Sequence, residues 1–231
     1  MTKTTFHKEL DSGALRLEQP SKGYRFAQDA LFLSDFVEVP QGARGVDLGT
    51  GCGIVALRLA KKGGLDHIFG VEIQSRLAEM ACRNVVENGL AERVTILCQD
   101  MQTLTPRRMG GPVDLVVSNP PFRRLPSGRL NPIPEIAIAR HELKITLKTL
   151  VETAYGLLAD GGHLAMVYTA DRLTDLLAAL RGHQIEPKRL QMVHARFNQP
   201  AKRVLVEGVR KGRPGLKVLP PLVSDSPIPT R

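Results

Sequence analysis

From residue 44 onward the chain alternates short apolar runs with helix-length amphipathic stretches, until the last two runs follow one another with almost nothing between. The first five runs are "RGVDL" (44–48), "HIFGVEI" (67–73), "RVTILC" (93–98), "VDLVVS" (113–118) and "HLAMVYT" (163–169). Continuous apolar runs of this length, bounded by turn residues, predict parallel strands buried on both faces. Between them stand "IVALRLAKK" and then "QSRLAEMACRNVVENG", which closes on the helix-stopping pair Asn88-Gly89. Further on, Leu143, Leu147, Leu150, Val151, Ala154 and Leu157 share one helical face, as do Leu173, Leu176, Leu177 and Leu180. Such alternation implies an α/β fold on a doubly wound parallel sheet. The ending breaks the pattern, because "KRLQMVHAR" and "KRVLVEGVR" are joined only by "FNQPA". No parallel crossover fits so short a link, so these two strands form a terminal antiparallel hairpin. Residues 1–40 then read as an N-terminal extension, 41–218 as the main domain, and 219–231 as a proline-rich tail that wraps the surface or hangs loose.

At 231 residues the chain supports one sizeable core. No stretch approaches the roughly 20 apolar residues that span a bilayer. The start, "MTKTTFHKELDSG", lacks the apolar centre of a signal peptide, so the expectation is a soluble chain that is not exported. Cys52, Cys82 and Cys98 are odd in number and share no metal-ligand spacing; they read as reduced thiols in a cytoplasmic protein, with no metal expected. The net charge of +9 is one-sided. Residues 1–120 carry 14 basic and 14 acidic side chains, whereas 121–231 carry 18 and 9 and so hold the whole excess. Within 187–217, nine basic residues stand against Glu207 alone. A solvated surface accounts for such an excess, and so does a face that binds a polyanion.

Three acids and a glycine turn carry the first chemical signal. In "VDLGTGCG" (46–53), Gly49, Gly51 and Gly53 let the backbone turn sharply and approach a ligand closely beneath a helix N-terminus. The spacing G-x-G-x-G differs from the dinucleotide fingerprint, and the acid Asp47 precedes it. The second strand ends in Glu72, whose carboxylate can take two ribose hydroxyls, and the third runs into Asp100. Ligands of open α/β sheets bind at this carboxyl edge. A nucleoside fits, and the acids suit a cationic one without pyrophosphate. The fourth strand runs into "NPPF" (119–122), where two prolines end the ladder and lock the backbone between an amide and an aromatic ring.

Together, "VDLGTGCG", Glu72, Asp100 and "NPPF" resemble the class I S-adenosylmethionine (SAM) methyltransferases, in their amino-methylating branch. The resemblance implies a Rossmann-like seven-stranded sheet whose last strands form an antiparallel hairpin. It implies that Asp47 and the turn at Gly49, Gly51 and Gly53 hold the methionine end of SAM, Glu72 the ribose hydroxyls and Asp100 the adenine. "KGYRFAQDALFLSDFV" (22–37), "AIARHEL" (137–143) and "QPAKRVLVE" (199–207) are similar to the bacterial subfamily that methylates N6 of adenine 37 in valine tRNA. That likeness lets the N-terminal extension close over SAM, with Tyr24 and Arg25 nearby.

On this reading the lock has a purpose. An exocyclic amine on an aromatic ring is a weak nucleophile because its lone pair is delocalised. If the Asn119 side-chain oxygen and the Pro120 carbonyl accept its N–H groups, the lone pair turns towards the methyl group, and growing positive charge meets two fixed dipoles. Pro121 holds the acceptors in place and Phe122 stacks on the base. Arg123, Arg124 and Arg129, in the loop that follows, rim the pocket for phosphate. Lys188, Arg189, Arg196, Lys202 and Arg203 flank the hairpin turn and extend that RNA-binding face. The expected substrate is structured RNA, most of all tRNA, with no membrane partner. A protein glutamine amide uses the same N-P-P-[YF] device, but its enzymes carry a helical domain before the glycine motif, where this chain has only a short segment. Guanine N2 of ribosomal RNA is a further substrate. A non-catalytic RNA-binding module has no need of the intact Asn119-Pro120-Pro121-Phe122 set.

Overall fold

The computed structural model of the chain describes residues 5–10, 15–20, 28–120 and 145–224. Tyr24, Arg25, Pro121, Phe122, Arg123, Arg124, Arg129 and Leu143 lie outside the described residues, as does the tail beyond 224. Two short strands come first, β1 (Thr5–Leu10) and β2 (Leu15–Pro20), then α1 (Gln28–Phe36). The predicted alternation follows as β3 (Ala43–Leu48), α2 (Ile54–Lys62), β4 (Leu65–Glu72), α3 (Ser75–Glu87), β5 (Val94–Cys98) and β6 (Val113–Ser118). Beyond it are α4 (Leu147–Leu157), β7 (Leu158–Thr169), α5 (Leu173–Gly182), β8 (Ile185–His194), β9 (Ala201–Arg210), β10 (Lys217–Val218) and β11 (Leu222–Val223).

The large sheet runs β10-β8-β9-β7-β6-β3-β4-β5, with β11 also on β8. All neighbours are parallel except β9, which is antiparallel to both β7 and β8, so the predicted terminal hairpin is present. The expected seven strands gain two-residue additions, β10 and β11, each parallel to β8. Proline-rich chain past residue 218 therefore follows the edge of the sheet, with Ser224 N–H donating to the His194 carbonyl at 2.9 Å.

Period-two alternation sorts each strand's side chains to opposite faces. On β6, Leu115 and Val117 face α1, α2 and α3, where Leu33, Leu57, Leu59 and Met80 are buried. Val116 between them faces α4 and α5, packed through Leu150, Leu157, Leu176 and Leu180. Each such leucine contributes about 1.5–3 kcal/mol by leaving water. In α5 only Leu176 and Leu180 of the predicted stripe are fully buried, and Leu173 and Leu177 pack at its margin.

The β1–β2 hairpin docks on α3 through two asparagines one helical turn apart. Asn84 Oδ1 accepts the Glu18 N–H at 2.7 Å, and its Nδ2 donates to the Glu18 carbonyl at 3.1 Å and to the Cys52 carbonyl at 2.9 Å. Asn88 repeats the pattern on Arg16, accepting its N–H at 3.0 Å and donating to its carbonyl at 2.7 Å. Leu15 and Leu17, on the alternate positions of β2, are buried in the same cluster as α2.

Strand order positions the site. From β3 the chain steps outward to β4 and β5, then returns to place β6 on the other side of β3. Strand order reverses there, which is where an open α/β sheet leaves a crevice beyond its carboxyl ends.

Candidate active site

Four neighbouring strand ends, of β6, β3, β4 and β5, present the residues singled out above in one row. Leu48 on β3 pairs with Ser118 on β6 and with Val71 on β4, and Glu72 pairs with Cys98 on β5. Asp47 and the glycine turn, Glu72, Asp100 and Asn119-Pro120 thus all sit at the carboxyl edge. The Ser118 hydroxyl donates to the Leu48 carbonyl at 2.8 Å and pins the ends of β6 and β3 together just before Asn119. Asn119 and Pro120 follow, half-buried.

The turn itself is built by backbone bonds. Gly49 and Thr50 both donate to the Val71 carbonyl, at 2.9 and 3.0 Å, and Gly53 N–H closes onto the Thr50 carbonyl at 2.9 Å. Gly49 has φ of 76° and Gly53 of 91°, backbone that a side chain strains to adopt. A Cβ on Gly53 also stands only 3.4 Å from Ala81 Cβ on α3, so glycine admits close helix packing there. At Gly70 the reason is space alone, since a Cβ meets Ile96 Cδ1 at 2.8 Å.

Each acid is held by the turn it faces. Glu72 is buried; its Oε2 accepts the Gly51 N–H and its Oε1 the Gln74 N–H, each at 2.9 Å. Asp47 is also buried, with its Oδ2 accepting the Thr50 hydroxyl at 2.6 Å. Burial pushes Asp47 up to about 7, against the Thr50 hydroxyl and the Ala56 N–H, which favour the charged form; the Glu72 charge adds a small push upward. Asp100 is half-buried and caps the 3₁₀ turn Met101–Thr103, accepting the Gln102 N–H at 2.9 Å. An ionised carboxylate offers about four acceptor positions on its two oxygens.

The basic residues divide. Lys188 and Arg189 lie near the start of β8, six residues or so from its turn and about 20 Å back along the strand. Lys188 Nζ donates to the Arg213 carbonyl at 3.1 Å. Arg189 pairs with Glu207 and Glu38, each at 3.1 Å, and lies over the Phe36 ring. Arg203 is 5 % exposed and pairs with the buried Asp29 at 3.0 Å. The expected shared face is therefore not assembled. Only Arg196 and Lys202 stand at the turn with no acid partner among the described residues.

Three contributors escaped the sequence reading. Thr50 and Ser118 each have a signal in hindsight, a hydroxyl three residues after Asp47 and one just before Asn119. Asn84 has one too, as an amide on the buried face of α3, from which it holds the Cys52 carbonyl of the glycine turn. Among the described residues no group of three or more His, Cys, Asp or Glu is placed to hold a metal ion. No described helix is long and apolar enough to cross a membrane.

Known proteins share the sequence pattern and the fold. The family model of the methyltransferase small domain matches residues 27–183. A Porphyromonas gingivalis protein named tRNA1(Val) (adenine(37)-N6)-methyltransferase is 33% identical over 199 residues, covering 83% of this chain and 76% of that protein. An Aeromonas hydrophila protein of the same name is 29% identical over 202 residues, 87% of this chain and 79% of that one. Among solved structures, a predicted O-methyltransferase from Agrobacterium tumefaciens superposes with a TM-score of 0.67 at 21% identity, over 87% of this chain and 92% of that one. M. jannaschii TYW2 in complex with AdoMet gives 0.60 at 12% identity, over 90% and 87%. At these identities the two structures attest the fold.

Proposed function

The chain belongs to the methyltransferase small domain family, and from that premise we propose that it transfers a methyl group from SAM to the N6 amine of an adenine in tRNA. The single observation that carries this reading is the row of strand ends at the switch of the sheet, in which Asn119-Pro120 stands one strand from Asp47 and two from Glu72.

The residues fit SAM. The turn at Gly49, Gly51 and Gly53 leaves room for close approach, Asp47 offers a carboxylate to the ligand's ammonium, and Glu72, held by Gly51 and Gln74, keeps lone pairs for two ribose hydroxyls. Asp100 serves the adenine end. Tyr24 and Arg25 complete the cover in this proposal, as part of an extension spanning 1–40 ahead of a domain spanning 41–218. When bound, SAM supplies a methyl group on a sulfonium, activated for displacement without a metal. The protein's part is at the other reactant. Asn119 and the Pro120 carbonyl accept the two amine N–H groups and turn the nitrogen lone pair towards the methyl. Pro121 keeps those acceptors fixed, and Phe122 sets the plane of the base. With SAM bound, the new C–N bond would form as the C–S bond broke, and the methylated nitrogen would release its proton to water. Positive charge that grows on the amine meets oxygen dipoles already in place, which lowers the barrier without reorganisation.

Arg123, Arg124, Arg129, Arg196 and Lys202 are the proposed phosphate contacts. Arg189 and Arg203 are left out because acids inside the fold neutralise them, and Lys188 because it binds a carbonyl far from the turn. The proposed compartment is the cytoplasm, in keeping with three cysteines that form no disulfide. The test is transfer of labelled methyl to a valine tRNA transcript, followed by nucleoside analysis. N6-methyladenosine supports the reading. Label in protein amide, in guanosine or in nothing removes it.

A further inference from the structure

Phe197 is 80 % exposed, more than any other large apolar side chain among the described residues. A single exposed apolar residue needs no explanation by itself. The setting of this one is what asks for it. Phe197 is the second residue of a turn, 196–199, that the Gln199 N–H closes onto the Arg196 carbonyl at 3.0 Å. The Gln199 carbonyl is in turn bound to His194 Nδ1 at 2.7 Å, and Pro200 follows. The backbone that carries the ring is therefore braced at the hairpin tip, and the ring itself stands in solvent.

The tip also has a position and a charge. Ser118 is level with Met166 on β7, and Met166 is level with Val206 on β9. From Val206 the hairpin runs five more residues to Ala201, about 15 Å past the row of strand ends that holds Asn119. It stands two to three strands aside, roughly 10–14 Å. No acid occurs in residues 188–206, and Arg196 and Lys202 flank the ring. Two acids on the adjoining turn and helix, Asp171 and Asp175, are already engaged by Thr169 and Arg172.

We propose that this tip is a stacking platform for an unpaired base of the RNA, with Phe197 as the ring and Arg196 and Lys202 holding the adjoining phosphates. The inference rests on RNA being the substrate. An exposed aromatic on a braced turn between cations, beside but not inside the reacting crevice, fits a nucleotide near the target rather than the target itself. Base–aromatic stacking is sequence-tolerant because every base has a π-face, whereas an apolar protein patch has no use for flanking cations and an absence of acids. The platform fixes which unpaired stretch is presented, while the strand ends carry out the transfer.

The chain has no tryptophan, so Phe197→Trp introduces a single reporter. Titrating that variant with a valine tRNA transcript is expected to quench its emission as the indole stacks. Phe197→Ala is expected to weaken RNA binding and raise KM for RNA by about tenfold. Its kcat, SAM affinity, melting temperature and salt slope should stay as in the parent. Arg196→Ala should instead lower the salt slope by about 0.7–0.9, the loss of one phosphate contact. Should the parent methylate RNA while Phe197→Ala matches it in affinity and KM, or Phe197→Trp emit unchanged at saturating RNA, the platform is wrong and the proposed activity stands. Should the parent transfer no methyl to RNA, the activity itself fails and the platform with it.

Discussion

At the glycine turn, carboxylates are held by neutral donors: Glu72 by the N–H groups of Gly51 and Gln74, Asp100 by that of Gln102. In the terminal hairpin and the chain after it, cations are held by acids: Arg189 by Glu207, Arg203 by Asp29, and Arg210 and Lys211 by Asp160. The two arrangements have different consequences. A carboxylate on backbone amides remains an anion, oriented and still able to accept from a ligand. A guanidinium on a carboxylate is neutralised as a pair and adds little to the outward field. Glu72 and Asp100 thus keep their charge at the strand ends, whereas Arg189, Arg203, Arg210 and Lys211 of the basic stretch 187–217 are tied into ion pairs.

The largest test of this contrast is at neighbouring residues of β9. Arg203→Ala leaves the Asp29 charge buried and unpaired and should lower stability by about 3–5 kcal/mol. Lys202→Ala next to it should stay within about 0.5 kcal/mol. Chemical denaturation of both variants checks this, and equal midpoints would mean that the buried pair has no special role.

Next in size is Asn119→Ala, which removes a transition-state acceptor and should slow methyl transfer by roughly 100-fold or more with SAM affinity nearly intact. Single-turnover rates within a few-fold of the parent would take Asn119 out of the chemistry. Glu72→Ala should weaken SAM binding by on the order of 1–3 kcal/mol, through lost charge-assisted bonds and a slackened Gly51 turn. Calorimetry that finds unchanged affinity would separate Glu72 from the ribose.

The remaining test is a pH trend. Asp47 stands near 3.8 when unfolded and is raised to about 7 by burial in the fold. Its contribution to stability is full below the unfolded value and is lost as pH rises through 7. Binding of a cationic ligand has the opposite sign, because it needs the ionised form. SAM affinity should climb by up to about tenfold per pH unit below 7 and level off above it. Asp47→Asn should flatten both trends, and a parallel slope in parent and variant would assign the dependence elsewhere.

Legibility in the sequence followed distance along the chain. The strand–helix alternation and the antiparallel ending were readable because each rests on a few adjacent residues and a five-residue link. The acids are legible because each lies within two residues of the carboxyl end of a strand. The Asp29–Arg203 pair joins residues 174 apart, and no local pattern marks it. β10 and β11 have two residues each among prolines, too short for any periodicity. The β1–β2 hairpin is a different case. "TFHKEL" and "LRLEQP" around Asp11-Ser12-Gly13 carry alternation and a turn signal inside the stretch read as an N-terminal extension, so this hairpin is legible in the sequence although the extension reading assigns it no strands.

Asn84 of α3 and Asn88, which caps that helix, have a bearing on how the molecule keeps to itself. A strand edge with free N–H and C=O groups is a template on which another chain can add a strand. Along Arg16 and Glu18 that edge is closed by side chains of a helix, each amide meeting one N–H and one carbonyl as a neighbouring strand does. Asparagine carries its donor and its acceptor on separate atoms, so one side chain meets an N–H and a carbonyl together. An aspartate in either place keeps the acceptor, loses the donor, and reopens half of that edge to strand addition.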